Sequence, residues 1–315
     1  FCYGLFLHLK LKHSQKSRIN IFKISRLPVS FIGFCTEVKE LFVMKVTFVL
    51  PGSGRAGGIK STVKAANGLV DKGHHVRLLV NTANNNSIRC KASNLWMKIR
   101  YTQGADWVDT FKSKTEYFKD ITRCSFDKSE IVIASGWWAG QHMKKLKNKN
   151  ITKVHYIRGM LKDPRDMYRS WSEEVPKIVI GTYLIDVIKK TCNQPVYSVI
   201  PNGIDTDEYF PVLPDEERNS IGTIYGMSYH KDPVTILNVL NYFWSDHTNV
   251  NTVIFGAPKR PPQIPSRFYH RLPTLETVRE IYSKSLVWFI GSSSEGFSVP
   301  ILEAIACGCT VVSTD

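Results

Sequence analysis

The chain has 315 residues, 43% of them hydrophobic and 11% aromatic, enough to build one large core or two ordinary ones, which excludes an intrinsically disordered chain. Lys and Arg number 42 against 27 Asp and Glu, and the resulting +15 favours polyanionic partners: nucleotide diphosphates, anionic lipid surfaces or nucleic acid. Seven scattered cysteines with no C-x-x-C pair argue against a zinc site and a disulfide framework, and fit a reduced, cytoplasmic protein.

Residues 1–43 read differently from the rest. Their apolar stretches are broken by Lys10, Lys12, Lys16, Arg18, Lys23 and Arg26, so no run approaches the roughly 20 apolar residues that cross a bilayer. Their apolar-before-basic order is the reverse of a signal peptide. This segment is expected to lie outside the fold, a basic membrane-surface arm being the alternative. From Met44 onward, strand and helix patterns alternate. Residues 45–50 read as a strand, an amphipathic helix runs through Ile59, Val63, Ala66 and Val70 to Gly73, and 75–80 complete a βαβ unit. Further strands predicted at 131–134, 153–157, 177–180 and 197–200 imply a parallel sheet buried on both faces. Pro201-Asn-Gly-Ile-Asp205, with Pro211 and Pro214 close behind, breaks the pattern. A second series follows, with strands at 221–225, 252–255, 286–290 and 310–313.

Candidate chemistry gathers where strands end. Gly52, Gly54 and Gly57 fit G-x-G-x-x-G between a strand and a helix, but a nicotinamide enzyme also needs an acid at the end of the second strand. Here that strand runs into Asn81-Thr-Ala-Asn-Asn-Asn86, so the dehydrogenase reading is disfavoured. Gly57 and Gly58 suit a diphosphate at a helix N-terminus instead, with a flexible turn as the plain alternative. Near the C-terminus, the apolar run 286–290 opens into Gly291-Ser-Ser-Ser-Glu295-Gly296-Phe297-Ser298-Val-Pro300 and a helix closed by Gly308. Backbone N–H groups of Gly296, Phe297 and Ser298 would face an oxygen-rich or anionic ligand, and Glu295 and Glu303 would accept from its hydroxyls. Spacing alone leaves open a solvated loop whose Glu303 merely favours the helix dipole.

The stretch Glu295-Gly-Phe-Ser-Val-Pro-Ile-Leu-Glu303-Ala-Ile-Ala-Cys-Gly308 resembles the signature of retaining glycosyltransferases of family 4, and Pro201-Asn-Gly-Ile-Asp205 resembles that family's interdomain region. The resemblance implies an α/β fold of the GT-B type: two Rossmann-like domains with parallel sheets facing a cleft. Residues 44–203 would form the acceptor-side domain and 204–315 the nucleotide-sugar domain, which the family pattern would continue beyond 315. It further implies that Glu295 contacts the transferred sugar and Glu303 the donor's ribose. The activity implied is sugar transfer, with retention, from a nucleotide-diphosphate sugar to a saccharide or lipid-linked acceptor in cell-surface polysaccharide or glycolipid synthesis. No metal or other cofactor and no nucleic-acid partner is implied.

The chain departs from the family at the phosphate grip. Family members show Gly-Arg-Leu and, a few residues later, Lys-Gly, whereas this chain has Gly226-Met227-Ser228-Tyr229-His230-Lys231. Lys231 matches the Lys and would stabilise the departing diphosphate, while Met227 stands in the place of the Arg, with Ser228, His230 or Lys259 to supply what is lost. Family members often carry a His at the end of the strand matching 153–157. Here His155 lies mid-strand, where a packed core residue is the plainer reading, and Arg158 at the strand's end is as good a candidate for a phosphate or acceptor contact. Trp137-Trp138 would stack on a sugar or simply pack. The four lysines in 144–149 would cap a helix end or touch an anionic membrane peripherally. The alternatives are an epimerase or phosphorylase of the same fold, or a non-enzymatic polyanion-binding protein, which the scattering of the cations disfavours.

Overall fold

The structure is a computed structural model that describes residues 43–54, 56–82, 106–136, 139–160, 163–246, 250–293 and 295–314. Residues 1–42, the asparagines from 84 to 86 and Trp137-Trp138 lie outside the described residues. The chain divides into two compact units, one containing Asp106–Ile157 and Tyr168–Ile200 with the residues before 83, the other containing Arg158–Met167 and the chain from Pro201 onward.

The first unit is a seven-stranded sheet in the order β3-β2-β1-β4-β5-β6-β7. Its strands are β1 (Lys45–Leu50), β2 (His75–Asn81), β3 (Lys114–Phe118), β4 (Ile131–Ser135), β5 (Thr152–Ile157), β6 (Lys177–Val179) and β7 (Val196–Val199). Every pairing is parallel, β1 lying between β2 and β4 with Val46 opposite both Val76 and Ile131. All of β1 after Lys45 is buried, including Thr47, as befits a central strand covered on both faces. Helix α1 (Gly57–Val70) buries Ile59, Thr62, Val63, Ala66 and Leu69, a 3.6-residue stripe. Gly73, at φ +82°, then takes the left-handed turn into β2. The helices α2 (Gly140–Lys145), α3 (Tyr168–Trp171) and α4 (Tyr183–Cys192) complete this unit's α-helices among the described residues.

The second unit is a five-stranded parallel sheet in the order β10-β9-β8-β11-β12. Its strands are β8 (Ser220–Tyr225), β9 (Asn251–Gly256), β10 (Tyr269–Arg271), β11 (Ser285–Ile290) and β12 (Thr310–Ser313), joined by helices α5 (Pro233–Asp246), α6 (Leu275–Lys284) and α7 (Val299–Ala306). Alternation along β11 feeds both faces. Trp288 and Ile290 pack with Tyr209, Phe255, Ile281, Tyr282 and Ala304, while Phe289 packs with Tyr225, Ile236, Leu240 and Ile254.

Each strand predicted from the sequence appears within one residue at either end. The two that were not predicted, β3 and β10, are short strands at sheet edges. With one neighbour each and polar or exposed residues such as Lys114, Glu116 and His270, they carry no apolar run to signal them.

Candidate functional site

The segment from β11 to α7 is built as its residues dictate. Pro300 sits in the first turn of α7, where its missing N–H has no intrahelical partner to lose. Gly308 closes the helix at φ +86°, a conformation that costs a side-chain-bearing residue. Between strand and helix, Glu295, Gly296, Phe297 and Ser298 are half-buried. No side chain caps the N-terminus of α7 and no acid lies in its first turn, so its amide end has no carboxylate neutralising it from within. The Ser298 hydroxyl, at the cap position, is buried without a hydrogen-bond partner among the described residues.

Lys231 forms an ion pair with Glu295 across 64 residues of sequence. Topology explains it: β8 and β11 are neighbours, so the turns at their carboxyl ends meet. Lys231 ends a single 3₁₀ turn, Tyr229–Lys231, and the Ser293 N–H donates to the His230 carbonyl at 2.9 Å, fastening one turn to the other. Gly226 makes room for the lysine stem, since a Cβ there would lie 2.9 Å from Lys231 Cγ. The pair is partly solvated, with Lys231 23% and Glu295 26% exposed, so separating it costs about 1 kcal/mol or less. Beside it, Ser228 Oγ and His230 Nε2 are 3.3 Å apart, and Met227 is 71% exposed.

Glu303 is 6% exposed. Tyr282, on α6, donates its hydroxyl to Glu303 Oε2 at 3.0 Å, and the Tyr209 hydroxyl lies close enough to this carboxylate to feel its charge. Burial and the adjacent negative charge hold both phenols well above their ordinary pKa, so both remain donors.

Arg158 belongs to the second unit and is buried, with Nη2 donating to Asn202 Oδ1 in the Pro-Asn-Gly segment. Its carbonyl touches the loop of Glu295, and a Cβ on Gly296 would fall 2.4 Å from Arg158 O and 3.1 Å from Gly159 Cα. Lys231, Glu295, Gly296 and Arg158 are thus brought together, with Ser228 adjacent in sequence.

Gly57, Gly58 and His155 belong to the first unit. Gly57 and Gly58 open α1 and are exposed, with nothing within 4 Å of an added Cβ and no side-chain cap among the described residues, and no acid in the first turn. One amide of the preceding loop is taken: Gly54 N–H donates to Asp106 Oδ1 at 2.7 Å. His155 is 1% exposed and donates Nε2–H to the Gly136 carbonyl at 2.8 Å. Burial pushes it down to about 4, so it is a neutral packed residue of β5. Of the lysines in 144–149, Lys144 pairs with Glu173 at 3.0 Å. Among the described residues no helix is long and apolar enough to cross a membrane, and no group of three His, Cys, Asp or Glu residues converges as metal ligands would.

Tyr209, Tyr282 and Asp106 make contacts with candidate site residues or loops that the sequence does not announce. A tyrosine on an amphipathic helix looks like any core aromatic, and Asp106 lies far along the chain from the loop it closes.

Residues 205–315 match the family model described as glycosyl transferases group 1. No curated protein sequence matches the chain. Among solved structures, a TarM mutant from S. aureus in complex with Fondaparinux, alpha-GlcNAc-glycerol and UDP superposes with a TM-score of 0.62 at 11% identity, covering 86% of each chain. The sucrose-phosphate synthase of Thermosynechococcus elongatus gives 0.56 at 12% identity, over 85% of this chain and 81% of that one. WaaG, a glycosyltransferase involved in lipopolysaccharide biosynthesis, gives 0.55 at 13% identity, over 85% and 80%. At such identities the likeness concerns the fold, while the family match concerns the sequence itself. With two parallel α/β sheets and this signature segment, the chain has the GT-B fold, and its residues 205–315 are similar to the glycosyl transferases group 1 family.

Proposed function

We propose that the chain transfers a sugar from a nucleotide-diphosphate sugar to a saccharide or lipid-linked acceptor, with retention of configuration. The Lys231–Glu295 pair beside the uncapped start of α7 carries this reading. On donor binding, Lys231 exchanges the Glu295 carboxylate for the diphosphate, where negative charge grows as the glycosidic C–O bond breaks. Glu295 is then available to hydroxyls of the sugar, and the amides of Gly296, Phe297 and Ser298 add donors at the helix end. Glu303 accepts from the ribose. Gly57 and Gly58 open α1 with helix N-terminal amides that suit a phosphate, and Arg158 fixes the backbone against which Gly296 packs. The UDP in the TarM complex supports a nucleotide ligand for this fold.

Titration calorimetry with UDP, GDP and dTDP tests the assignment. At least one should bind with measurable heat, and Lys231→Ala should weaken it by about tenfold or more through loss of a charge-assisted contact. If none binds while a generic oligonucleotide binds in a salt-dependent manner, the chain is a polyanion-binding protein instead.

A further inference from the structure

We propose that Tyr209 and Tyr282 are positioning residues that set the selectivity for ribose over deoxyribose, by fixing the plane of the Glu303 carboxylate from two sides. The inference rests on the assignment of Glu303 to the donor's ribose.

A buried carboxylate must be hydrogen-bonded, and one donor would meet the minimum. Here Tyr282 donates to it from α6, and Tyr209, from the segment ahead of β8, packs against Tyr282 with its hydroxyl near the same carboxylate. Neither ring is free to follow the carboxylate. Tyr282 lies edge-on to Trp288 at 4.5 Å between centroids, to Phe255 at 5.7 Å and to Tyr209 at 6.5 Å. Tyr209, Phe255, Tyr282 and Trp288 all belong to one buried cluster, and Tyr282 and Trp288 are fully buried. Because aromatic rings packed edge to face resist rotation, the phenol oxygens are fixed points and the carboxylate plane follows them.

Orientation matters because a ribose presents two vicinal hydroxyls in a set geometry. A carboxylate held at the right angle accepts from a hydroxyl with good alignment, whereas one turning freely spends that preference on disorder. A deoxyribose lacks one donor and gains nothing from the alignment. Loss of one phenol should therefore reduce the affinity for the ribonucleotide more than that for its deoxy analogue. A purely structural role would not move that ratio.

The experiment is calorimetric titration of the full chain and its Tyr282→Phe and Tyr209→Phe variants. The probes are UDP and its 2′-deoxy and 3′-deoxy forms, with the GDP series in parallel and a thermal midpoint for each variant. The wild-type chain should favour the ribonucleotide, and each Phe variant should narrow the ratio by about three- to tenfold, the scale of one hydrogen bond to a charged group. A ratio unchanged in both variants, whatever happens to the midpoint, would overturn the proposal while leaving the ribose contact standing. A wild-type chain that binds none of the nucleotides, or binds all forms equally, would remove the ribose assignment and the proposal with it. Should one variant fail to fold, the other carries the same comparison.

Discussion

Met227 concentrates what is unusual about this chain. It is 71% exposed two residues past the end of β8, and the turn of Lys231 follows at once, so a larger cation there would meet solvent rather than core. Arg brings a planar fork of donors that a thioether cannot supply. Met227→Arg is therefore expected to tighten nucleoside-diphosphate binding by about tenfold with an unchanged thermal midpoint, as measured by calorimetry and melting curves. An unchanged affinity would mean that other groups of this chain already grip the phosphates.

At the scale of elements, legibility followed what local sequence controls. The segment from β11 through α7 was readable because its β-branched and aromatic strand, Pro300 and Gly308 each constrain their own neighbourhood. The ion pair it holds was not, because Lys231 and Glu295 meet only when β8 and β11 are neighbours, and strand order is a property of the sheet. The Tyr209 and Tyr282 contacts are hidden for the same reason. They join α6, α7 and the chain before β8, three pieces that no local pattern links. That strand order also sets one sharp steric demand. Gly222 on β8 faces β11, and a Cβ there would fall 2.3 Å from Trp288 and 2.4 Å from Ser285 Oγ. Trp288 is fully buried and cannot withdraw, so Gly222→Ala is expected to destabilise the second unit by about 1–3 kcal/mol, read from urea unfolding.

The molecule as a whole answers to pH and charge. Burial pushes His142 and His155 down to about 4, Lys145 and Lys177 respectively adding to the effect against opposing contributions from Asp120 and the Gly136 carbonyl. In the unfolded chain these rings protonate near their ordinary value of 6.5, so between 6.5 and 4 the unfolded state binds more protons. Their contribution to stability is complete above that window and lost as pH falls through it. Unfolding curves at pH 7 and pH 5 should differ by about 2 kcal/mol for each histidine. A first unit equally stable at both values would show that the rings protonate in place. The net charge of +15, in turn, attracts every polyanion in solution without discrimination. Lys231 does not share that indifference, because its charge is already matched by Glu295. Entry of a ligand at this point is an ion exchange, and the displaced carboxylate must find new donors. A sugar nucleotide supplies them as hydroxyls; inorganic pyrophosphate brings the charge and no hydroxyls, and should compete poorly for the site despite carrying the same diphosphate.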